Sequence, residues 1–559
     1  MNDVWVKQNN KTLSRNALAA AVAFGLTVSA HTEATTIDTG NPDLRIRWDN
    51  TVKYSASFRV ADVDPNVADA SLGPQANTND GDLNFGKGLI SNRLDLLSEF
   101  DLRYKKQYGF RVSAASWYDS VYHDSNDNPA ALGGALINAQ SVPAGEFAEE
   151  TKDLHGQYGE IMDAFVYGGF NFGRKQLNVK AGRFTQLYGE SLFFGSNAVA
   201  GAMTSLDLAR ALSVPQSEFK EVARPTGQLA AQLQVNSKLT LAAYYQFEWR
   251  KSRLPAAGSY FAFADFVDKG GETVILGPGT IVHRTEDITA DDSGQFGFQA
   301  RYKINDYEVG FYAAQFHDKL PQFYVRPGIN VRDGGIGDYA QVFAEDIKVY
   351  GLSVSTLVGE TNIAAEMSMR QDMALVATGN TVILPGDTVS DGGDNSAFPR
   401  GDTFHFNASM ITILNENSVW DAASFIGEFA FNRRLNISEN ADQLDPLATE
   451  NASAIQFVFV PDYFQVLPGL DLQVPIGFGY GIDGRSSVNG VLFPAEHGGN
   501  ASIGLKGDYN RTWRFAVNFT KYLGEAGSVI QYDTPVPTLS YKNFHGDRDF
   551  ISLSVQRTF

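Results

Sequence analysis

The sequence predicts an all-β protein, a single transmembrane antiparallel β-barrel of about eighteen strands. Three observations favour this fold: segments in which apolar and polar residues alternate, very short turns that contrast with long loops, and an alternating final segment that ends on Phe559. A strand between lipid and a wet lumen needs such alternation, because successive side chains point to opposite faces. The alternative for one such segment is a strand of a soluble β-sandwich.

The N-terminal residues are typical of a secretory signal peptide. Basic residues precede an apolar run over 17–28, and small residues around Ala30 fit a cleavage site. The run is too short to span a bilayer of about 30 Å. We therefore expect a signal peptide over 1–30, a short periplasmic segment over 31–43 and a barrel over 44–559, in the outer membrane of a Gram-negative bacterium.

Composition narrows the classes of function. The chain has no cysteine, which excludes disulfides, thiolate metal sites and a lipid-modified cysteine. Its net charge of -19 argues against nucleic acid, which binds basic surfaces. The mean hydropathy of -0.21 is that of a soluble protein, but a barrel exposes only alternate residues to lipid.

The first predicted strand, over 44–60, shows the alternation almost without error. Its apolar residues share one face: Ile46, Trp48, Val52, Tyr54, Ala56, Phe58 and Val60. A transmembrane strand needs about 9 to 11 such residues. A helix would scatter them around its whole cylinder, so the pattern excludes a helix here.

Later strands come in pairs joined by short polar turns, for example at 236–238, 305–306 and 510–511. Long segments rich in Gly, Asp, Asn and Pro separate the pairs. Outer-membrane barrels have short periplasmic turns and long extracellular loops, whereas sandwiches spread loop length more evenly. This asymmetry favours the barrel.

The complete pattern predicts strands near 44–60, 89–104, 108–122, 156–172, 175–190, 225–235, 238–250, 294–304, 307–317, 345–358, 361–371, 403–414, 418–433, 452–466, 469–482, 499–510, 512–523 and 548–559. An even number suits two periplasmic termini. The alternative is about sixteen strands, because 156–190 and 418–433 alternate poorly.

A barrel of this size holds a wet lumen, so function depends on inward residues and on any loop folded inside. Basic candidates for the lumen wall are Arg47, Arg103, Arg250, Arg301 and Arg370. Acidic residues occur among the inward candidates as well. The mixture therefore fits a self-neutralising wall better than a ladder that attracts charged substrates.

The segment 191–224 differs from the other loops because it contains a short amphipathic helix over 206–212. An apolar helix exposed to water is costly. We expect this segment to fold into the lumen as a constriction, with Arg210, Lys220 and Arg224 near the passage. The alternative is a loop packed over the barrel mouth or against a partner subunit.

No constellation of residues indicates an enzyme. The eight histidines are scattered without metal-ligand spacing, and His405 alone lies in mid-strand on the polar face. We therefore predict no catalytic residues, no cofactor and no metal. A hydrolase carried on the barrel remains the third alternative for function.

Two segments resemble a proteobacterial family of exported proteins of unknown function. The run 179–191 is similar to its Gly-Arg and aromatic-Gly-Glu-Ser motif, and 463–477 is similar to its most distinctive run. The family more often has tryptophan at the position of Tyr188. Physically, a bulge at Gly182-Arg183 would turn Arg183 inward toward Glu190.

The resemblance implies an outer-membrane protein encoded near a second exported protein and an inner-membrane transporter of the resistance-nodulation-division type. From it we expect a channel or transporter for a small hydrophobic or aromatic molecule. The alternative is the outer-membrane component of an envelope-spanning export or lipid-transfer complex.

The expected partners are outer-membrane lipid and lipopolysaccharide, a periplasmic or lipoprotein partner, the inner-membrane transporter, a second copy of the chain and the barrel-assembly machinery. That machinery reads a terminal aromatic strand, so Phe559 is the predicted assembly signal.

Overall fold

A computed structural model describes residues 35–69, 73–131, 138–386, 388–532 and 536–559. The predicted signal peptide lies outside these residues. Eighteen antiparallel strands form one closed ring, in which the first strand pairs with the second on one side and with the last on the other. The prediction of an antiparallel barrel is therefore confirmed with eighteen strands, and the sixteen-strand alternative is wrong.

The barrel strands are β1 Leu44–Arg59, β2 Gly88–Tyr104, β3 Tyr108–Asp119, β4 Gln157–Phe172, β5 Lys175–Phe184, β6 Thr226–Gln234, β7 Leu239–Gln246, β8 Gln295–Ile304, β9 Tyr307–Phe316, β10 Ile347–Val358, β11 Thr361–Ala374, β12 Arg400–Leu414, β13 Ala422–Arg434, β14 Asn451–Leu467, β15 Leu470–Gln473 continued by Ile476–Gly484, β16 Gly499–Tyr509, β17 Trp513–Leu523 and β18 Phe550–Thr558. Pro475 lies at the interruption in β15, where a residue without an N–H group cannot donate to the ladder.

All long connections lie at one end of the barrel. They are loop 1 (60–87), loop 2 (120–156), loop 3 (185–225), loop 4 (247–294), loop 5 (317–346), loop 6 (375–399), loop 7 (435–450), loop 8 (485–498) and loop 9 (524–549). The connections at the other end are short, and Gly469 occupies one of them with a φ of 79°. A positive φ suits glycine, so the turn after Pro468 is tight.

The loops carry small elements of their own. Helical segments are Gly73–Asn77, Asp80–Leu83, Val121–His123, Glu149–Thr151, Lys152–Gly156, Gly195–Asn197, Val199–Ala202, Leu208–Ser213, Phe219–Val222, Thr378–Asn380, Ala441–Gln443 and Gly490–Leu492. Short strands outside the barrel wall are Ser205–Leu206, Ala223–Arg224, Thr273–Gly277, Thr280–Arg284, Gln322–Pro327, Gly337–Val342, Thr381–Ile383, Ile530–Gln531 and Thr538–Leu539. The N-terminal strand Thr35–Ile37 belongs to the barrel sheet, where it pairs with the turn end of β1. No helix among the described residues is long and apolar enough to cross a membrane.

The two faces of the wall differ as the alternation requires. Aromatic side chains are exposed on the outer face near the turn end: Trp48, Tyr104, Tyr302, Tyr307, Tyr509 and Trp513. Such a belt is typical of the membrane interface. The inner face is mainly polar in the loop half, where Lys53, Asp95, Glu366, His405 and Glu428 are buried.

The largest apolar cluster lies inside the ring rather than between separate layers. It joins inward residues of the wall, such as Tyr244 and Tyr312, to Val199 of loop 3, Tyr324 of loop 5 and Phe398 of loop 6. The loops therefore fill the loop half of the barrel, and the turn half remains hollow.

Candidate functional site

Loop 3 crosses the lumen and is held first by Glu366 on β11. One carboxylate oxygen of Glu366 accepts a hydrogen bond from the backbone N–H of Glu190 at 2.7 Å, and the other accepts from Val199 at 2.6 Å. The Oγ of Ser409 on β12 donates to the carbonyl of Glu190 at 3.1 Å. Loop 3 therefore reaches the wall opposite its starting strand.

A second glutamate, Glu428 on β13, holds the next residues. Its Oε2 accepts hydrogen bonds from three successive backbone N–H groups, those of Leu192 at 3.0 Å, Phe193, and Phe194 at 3.0 Å. Successive amides that converge on one oxygen form an anion-binding nest. This part of loop 3 is fixed by its backbone.

Loop 3 is also held by the side chain of Asn197, which is fully buried. Its Oδ1 accepts hydrogen bonds from Asn432 and Asn489 at 3.2 Å and lies 3.1 Å from Nδ1 of His405. Its Nδ2 donates to Oδ1 of Asn407 at 3.0 Å. A buried amide with all its partners specifies one position for the loop.

The rest of loop 3 returns to the first strands. The guanidinium of Arg210, on the helix Leu208–Ser213, lies 3.0 Å from Asp95 and 2.8 Å from Glu221. Lys53 of β1 lies 3.3 Å from Glu221. Burial alone would raise the pKa of Glu221, but the charges of Arg210 and then Lys53 hold that pKa below its ordinary value. Lys220 pairs with Glu99 at 2.9 Å.

Two arginines that were predicted on the lumen wall also bind residues of loop 3. Arg370 donates to the carbonyls of Ser196 and Ala198 at 2.7 and 2.9 Å. Arg301 lies 2.7 Å from Glu190 and 2.6 Å from Glu308. Their charges are therefore engaged with the protein itself.

The prediction that Arg183 turns toward Glu190 is wrong. Arg183 pairs with Glu248 at 2.5 Å, while Glu190 pairs with Arg301. Strand pairing continues through Arg183 on both sides without a shift in register, so there is no bulge at this point. The positive φ of Gly182, 127°, is instead accommodated within the regular ladder.

The remaining basic candidates lie in two places. Arg47 and Arg103 are near the turn end, where Arg47 lies 2.6 Å from Asp49 and Arg103 donates to the carbonyl of Lys106 at 3.0 Å. Arg224 and Arg250 lie at the loop end and donate to backbone carbonyls, those of Lys251 and Pro225. Burial, followed by the charges of neighbouring arginines, lowers the pKa of Arg224 to about 10.

Phe559 lies at the seam of the ring. Its backbone N–H donates to the carbonyl of Asn50 at 2.9 Å, and its carbonyl accepts from the N–H of Asn50 at 2.8 Å. These bonds extend the pairing of β1 with β18.

Beneath loop 3, on the turn side, the lumen contains a cavity of about 310 Å³, here called the vestibule. Its lining is mainly polar and includes Gln232, Gln299, Arg301 and Glu308, with Tyr188 of loop 3. A hollow of about 510 Å³ also lies among apolar residues of the outer wall. That hollow faces lipid, so of the two cavities only the vestibule belongs to the lumen.

One sector of the inner wall in the turn half is apolar. Ile411 on β12 pairs with Ile426 on β13, which pairs with Val458 on β14. These positions have the same parity as Asn407 and Glu428, which contact loop 3, so they face the lumen. With Ile413 and Val460 in the adjacent row, they form what we call the aliphatic patch: Ile411, Ile413, Ile426, Val458 and Val460.

Several of these features were not predicted from the sequence. The alternation places Glu428 on the polar face, but nothing in the sequence links it to the amides of loop 3. Asn197 looks like an ordinary loop residue. The aliphatic patch could have been found from the interrupted polar pattern at Ile411 and Ile413, once the inward parity of β12 was set by His405.

The fold and the inward loop define a transmembrane β-barrel of the outer-membrane type with a partly filled lumen. The chain belongs to the family described as "Protein of unknown function (DUF1302)", which matches residues 13–559. A search of curated proteins found no match.

Solved structures of similar fold include outer-membrane proteins. OccAB2 of Acinetobacter baumannii is 9% identical with a TM-score of 0.41, covering 94% of this chain and 99% of that one. OpdK of Pseudomonas aeruginosa, solved with vanillate, is 10% identical with a TM-score of 0.39, covering 92% and 98%. The A. baumannii outer-membrane channel DcaP is 10% identical with a TM-score of 0.38, covering 94% and 100%.

Proposed function

We propose that the protein is an outer-membrane channel for a small molecule with a substantial apolar part, a hydrophobic or aromatic compound. The observation that carries this proposal is the aliphatic patch, because it is exposed on the wall of the turn half, where most other inward side chains are polar. Ile411 and Ile413 are 40% and 61% exposed. Apolar residues exposed together inside a pore form a surface on which an apolar solute can rest.

The charged groups support the same proposal. The inward arginines nearest loop 3 are neutralised by acids or bound to backbone carbonyls, so they do not form a continuous path for anions. A passage with one polar and one aliphatic wall suits an amphipathic solute, whose two sides contact different walls.

Loop 3 sets the width of the passage in this proposal. Its anchors, Glu366, Glu428 and Asn197, fix it across the lumen. A solute that passes must move beside loop 3 or displace it. The channel is therefore narrow and selective rather than a wide open pore.

The test is solute flux into liposomes that contain the purified barrel. We expect an aromatic carboxylate such as phenylacetate to enter faster than gluconate. The double variant I426S/V458S should slow phenylacetate several-fold and leave gluconate unchanged. The control is Ala516→Ser, because Ala516 has inward parity on β17 away from the patch.

Two outcomes would contradict the proposal. Equal slowing of both solutes would mean that the patch does not select the substrate. The absence of flux and of single-channel current in the wild-type barrel would favour the alternative, a component of an export or lipid-transfer complex.

A further inference from the structure

A second cluster of polar residues lies among the loops, away from the vestibule. Loops 1, 2 and 4 bring together side chains that are all at least nine-tenths buried: Asn77, Asn79, Asp80, Asn128, Asn138, Gln140 and Asp265. The proposed channel uses none of them. Burial of so many polar groups requires that each finds a partner.

No described residue forms an ion pair with either of the two carboxylates of the cluster, although the charge of Arg548 acts on Asp265. The Oδ2 of Asp265 accepts from the backbone N–H of Asp80 at 3.0 Å, and the Oδ1 of Asp80 accepts from Nδ2 of Asn128 at 2.9 Å. Among the described residues, neither carboxylate forms an ion pair with lysine, arginine or histidine. Burial raises the pKa of both, and the charge of Asp265 raises that of Asp80 further.

The neighbouring Asp82 is a buried carboxylate whose negative charge is neutralised by arginines. It is fully buried, but Arg548 lies 2.5 Å away and Arg59 lies 3.2 Å away. Arginines therefore pair with one carboxylate of loop 1, whereas Asp80, two residues earlier, forms no ion pair with any described residue.

Within the described part of the chain, three buried oxygen atoms of the cluster have no hydrogen-bond partner: Oδ1 of Asp265, Oδ1 of Asn79 and Oε1 of Gln140. Asn79 directly precedes Asp80, and Nε2 of Gln140 donates to the backbone carbonyl of Asp265 at 2.6 Å. All three atoms are acceptors, and they belong to residues that hydrogen bonds or the chain itself connect to Asp80 and Asp265. Unpaired acceptors beside two unpaired carboxylates indicate a missing positive charge.

We propose that Asp80, Asp265, Asn79 and Gln140 bind a hard divalent cation, Ca²⁺, between loops 1, 2 and 4. Two carboxylates neutralise its charge, and carboxylate and amide oxygens are the ligands that Ca²⁺ prefers. The described residues contain no group of three or more His, Asp or Glu side chains suited to a metal ion. This site differs from such groups because amide oxygens complete it.

A shared proton is the rival explanation. It would neutralise one carboxylate, but it would leave the oxygens of Asn79 and Gln140 without partners. A cation accounts for all of these atoms at once. Bound Ca²⁺ would tie three loops together at the loop end of the barrel.

The test is calcium binding to the full-length barrel, purified in detergent without lipopolysaccharide. Calorimetric titration of the metal-free protein should show one Ca²⁺ site per chain, and Ca²⁺ should raise the melting temperature. Asp265→Asn should weaken binding by about ten-fold or more. Asp394→Asn is the matched control, because Asp394 is an exposed residue of loop 6, and it should bind as the wild type does.

A milder variant covers the case in which Asp265→Asn does not fold. Gln140→Met keeps both carboxylates and removes the amide oxygen together with the N–H group that donates to Asp265, at the cost of one neutral hydrogen bond. It should fold and bind Ca²⁺ several-fold more weakly. A wild-type barrel that binds no Ca²⁺, or whose melting temperature responds to pH but not to Ca²⁺, would overturn the proposal in favour of the proton. Unchanged affinity in both variants would overturn it as well.

Discussion

At the scale of single residues, two glutamates of the inner wall decide where loop 3 lies. Glu366 and Glu428 each direct a carboxylate at several N–H groups, and an ionised carboxylate accepts several donors better than any neutral side chain does. The alternation of β11 and β13 predicts that both face the lumen. It does not predict their partners, which lie between 167 and 236 residues away along the chain.

Replacement of Glu428 by glutamine should loosen the first part of loop 3. The amide keeps one acceptor and turns its N–H₂ group either toward the three loop amides or toward Nδ2 of Asn407, which donates to the other carboxylate oxygen, so we expect a loss of about 1–3 kcal/mol from the attachment. Planar-bilayer recordings should show larger and noisier currents. Glu450→Gln is the control, because Glu450 forms a half-exposed pair with Arg433. Currents of wild-type size in the Glu428 variant would contradict this role.

Acid should release the return part of loop 3. The pKa of Glu221 is lowered from its ordinary value of 4.5, so ionised Glu221 stabilises the closed loop. This stabilisation is fully present at pH values above the ordinary pKa. It is lost as the pH falls through the lowered pKa. We expect the single-channel conductance to be constant near neutrality and to rise below about pH 4.

Two variants test this acid response. Glu221→Gln should already show the acid conductance at neutral pH, whereas Glu416→Gln, in an exposed turn, should keep the wild-type profile. A conductance that does not change between about pH 7 and about pH 3 would show that Glu221 does not hold the loop.

At the scale of elements, sequence reasoning succeeded where a strand pairs with its neighbours in the chain. Period-two alternation and short turns located all eighteen strands, most of them within three residues. It failed where the chain leaves the wall. The fifth strand was expected to reach 190 but ends at Phe184, because the N–H of Glu190 binds Glu366 instead of a strand.

The seventh strand shows the same effect. It was expected to reach 250 but ends at Gln246, and the N–H of Trp249 binds a carboxylate oxygen of Asp292 in loop 4. The alternation of side chains persists beyond the wall, so the pattern alone cannot show where the ladder stops. The contacts of loop 3 were beyond prediction for a similar reason, since they join distant segments such as Asn197 and Asn489.

Removal of the middle of loop 3 should widen the channel. Replacement of residues 198–212 by a short Gly-Ser linker keeps the anchors at Glu428 but deletes the helix and Arg210. We expect the conductance to rise several-fold in planar bilayers. Deletion of 331–333, an exposed tip of loop 5, is the control and should leave it unchanged. Unaltered conductance after the loop 3 replacement would rule out a constriction here.

At the scale of the whole molecule, every strand presents one side to lipid and one to the lumen. Phe457 and Val458 are neighbours in the middle of β14, and Val458 has the parity of the lumen wall. The ring of Phe457 lies 5.5 Å from that of Phe425 on the outer face. This adjacent pair can therefore test the orientation of the barrel.

We expect Phe457→Arg to destabilise the barrel in lipid bilayers by about 2–4 kcal/mol, the cost of an arginine facing the middle of the membrane. Val458→Arg places the same charge in the wet lumen and should cost much less. Urea unfolding in vesicles measures both. Equal losses would show that the two faces do not differ in solvent.

Loop 3 also has a mechanical consequence. It is bonded to β1 and β2 through Lys53 and Asp95, and to β11 and β13 through Glu366 and Glu428, on opposite sides of an eighteen-stranded ring. A loop attached on both sides connects opposite walls of the barrel. If the surrounding bilayer flattens the barrel cross-section, the distance between these attachment points changes and loop 3 must move with it. The shape of the ring and the width of the passage therefore cannot change independently.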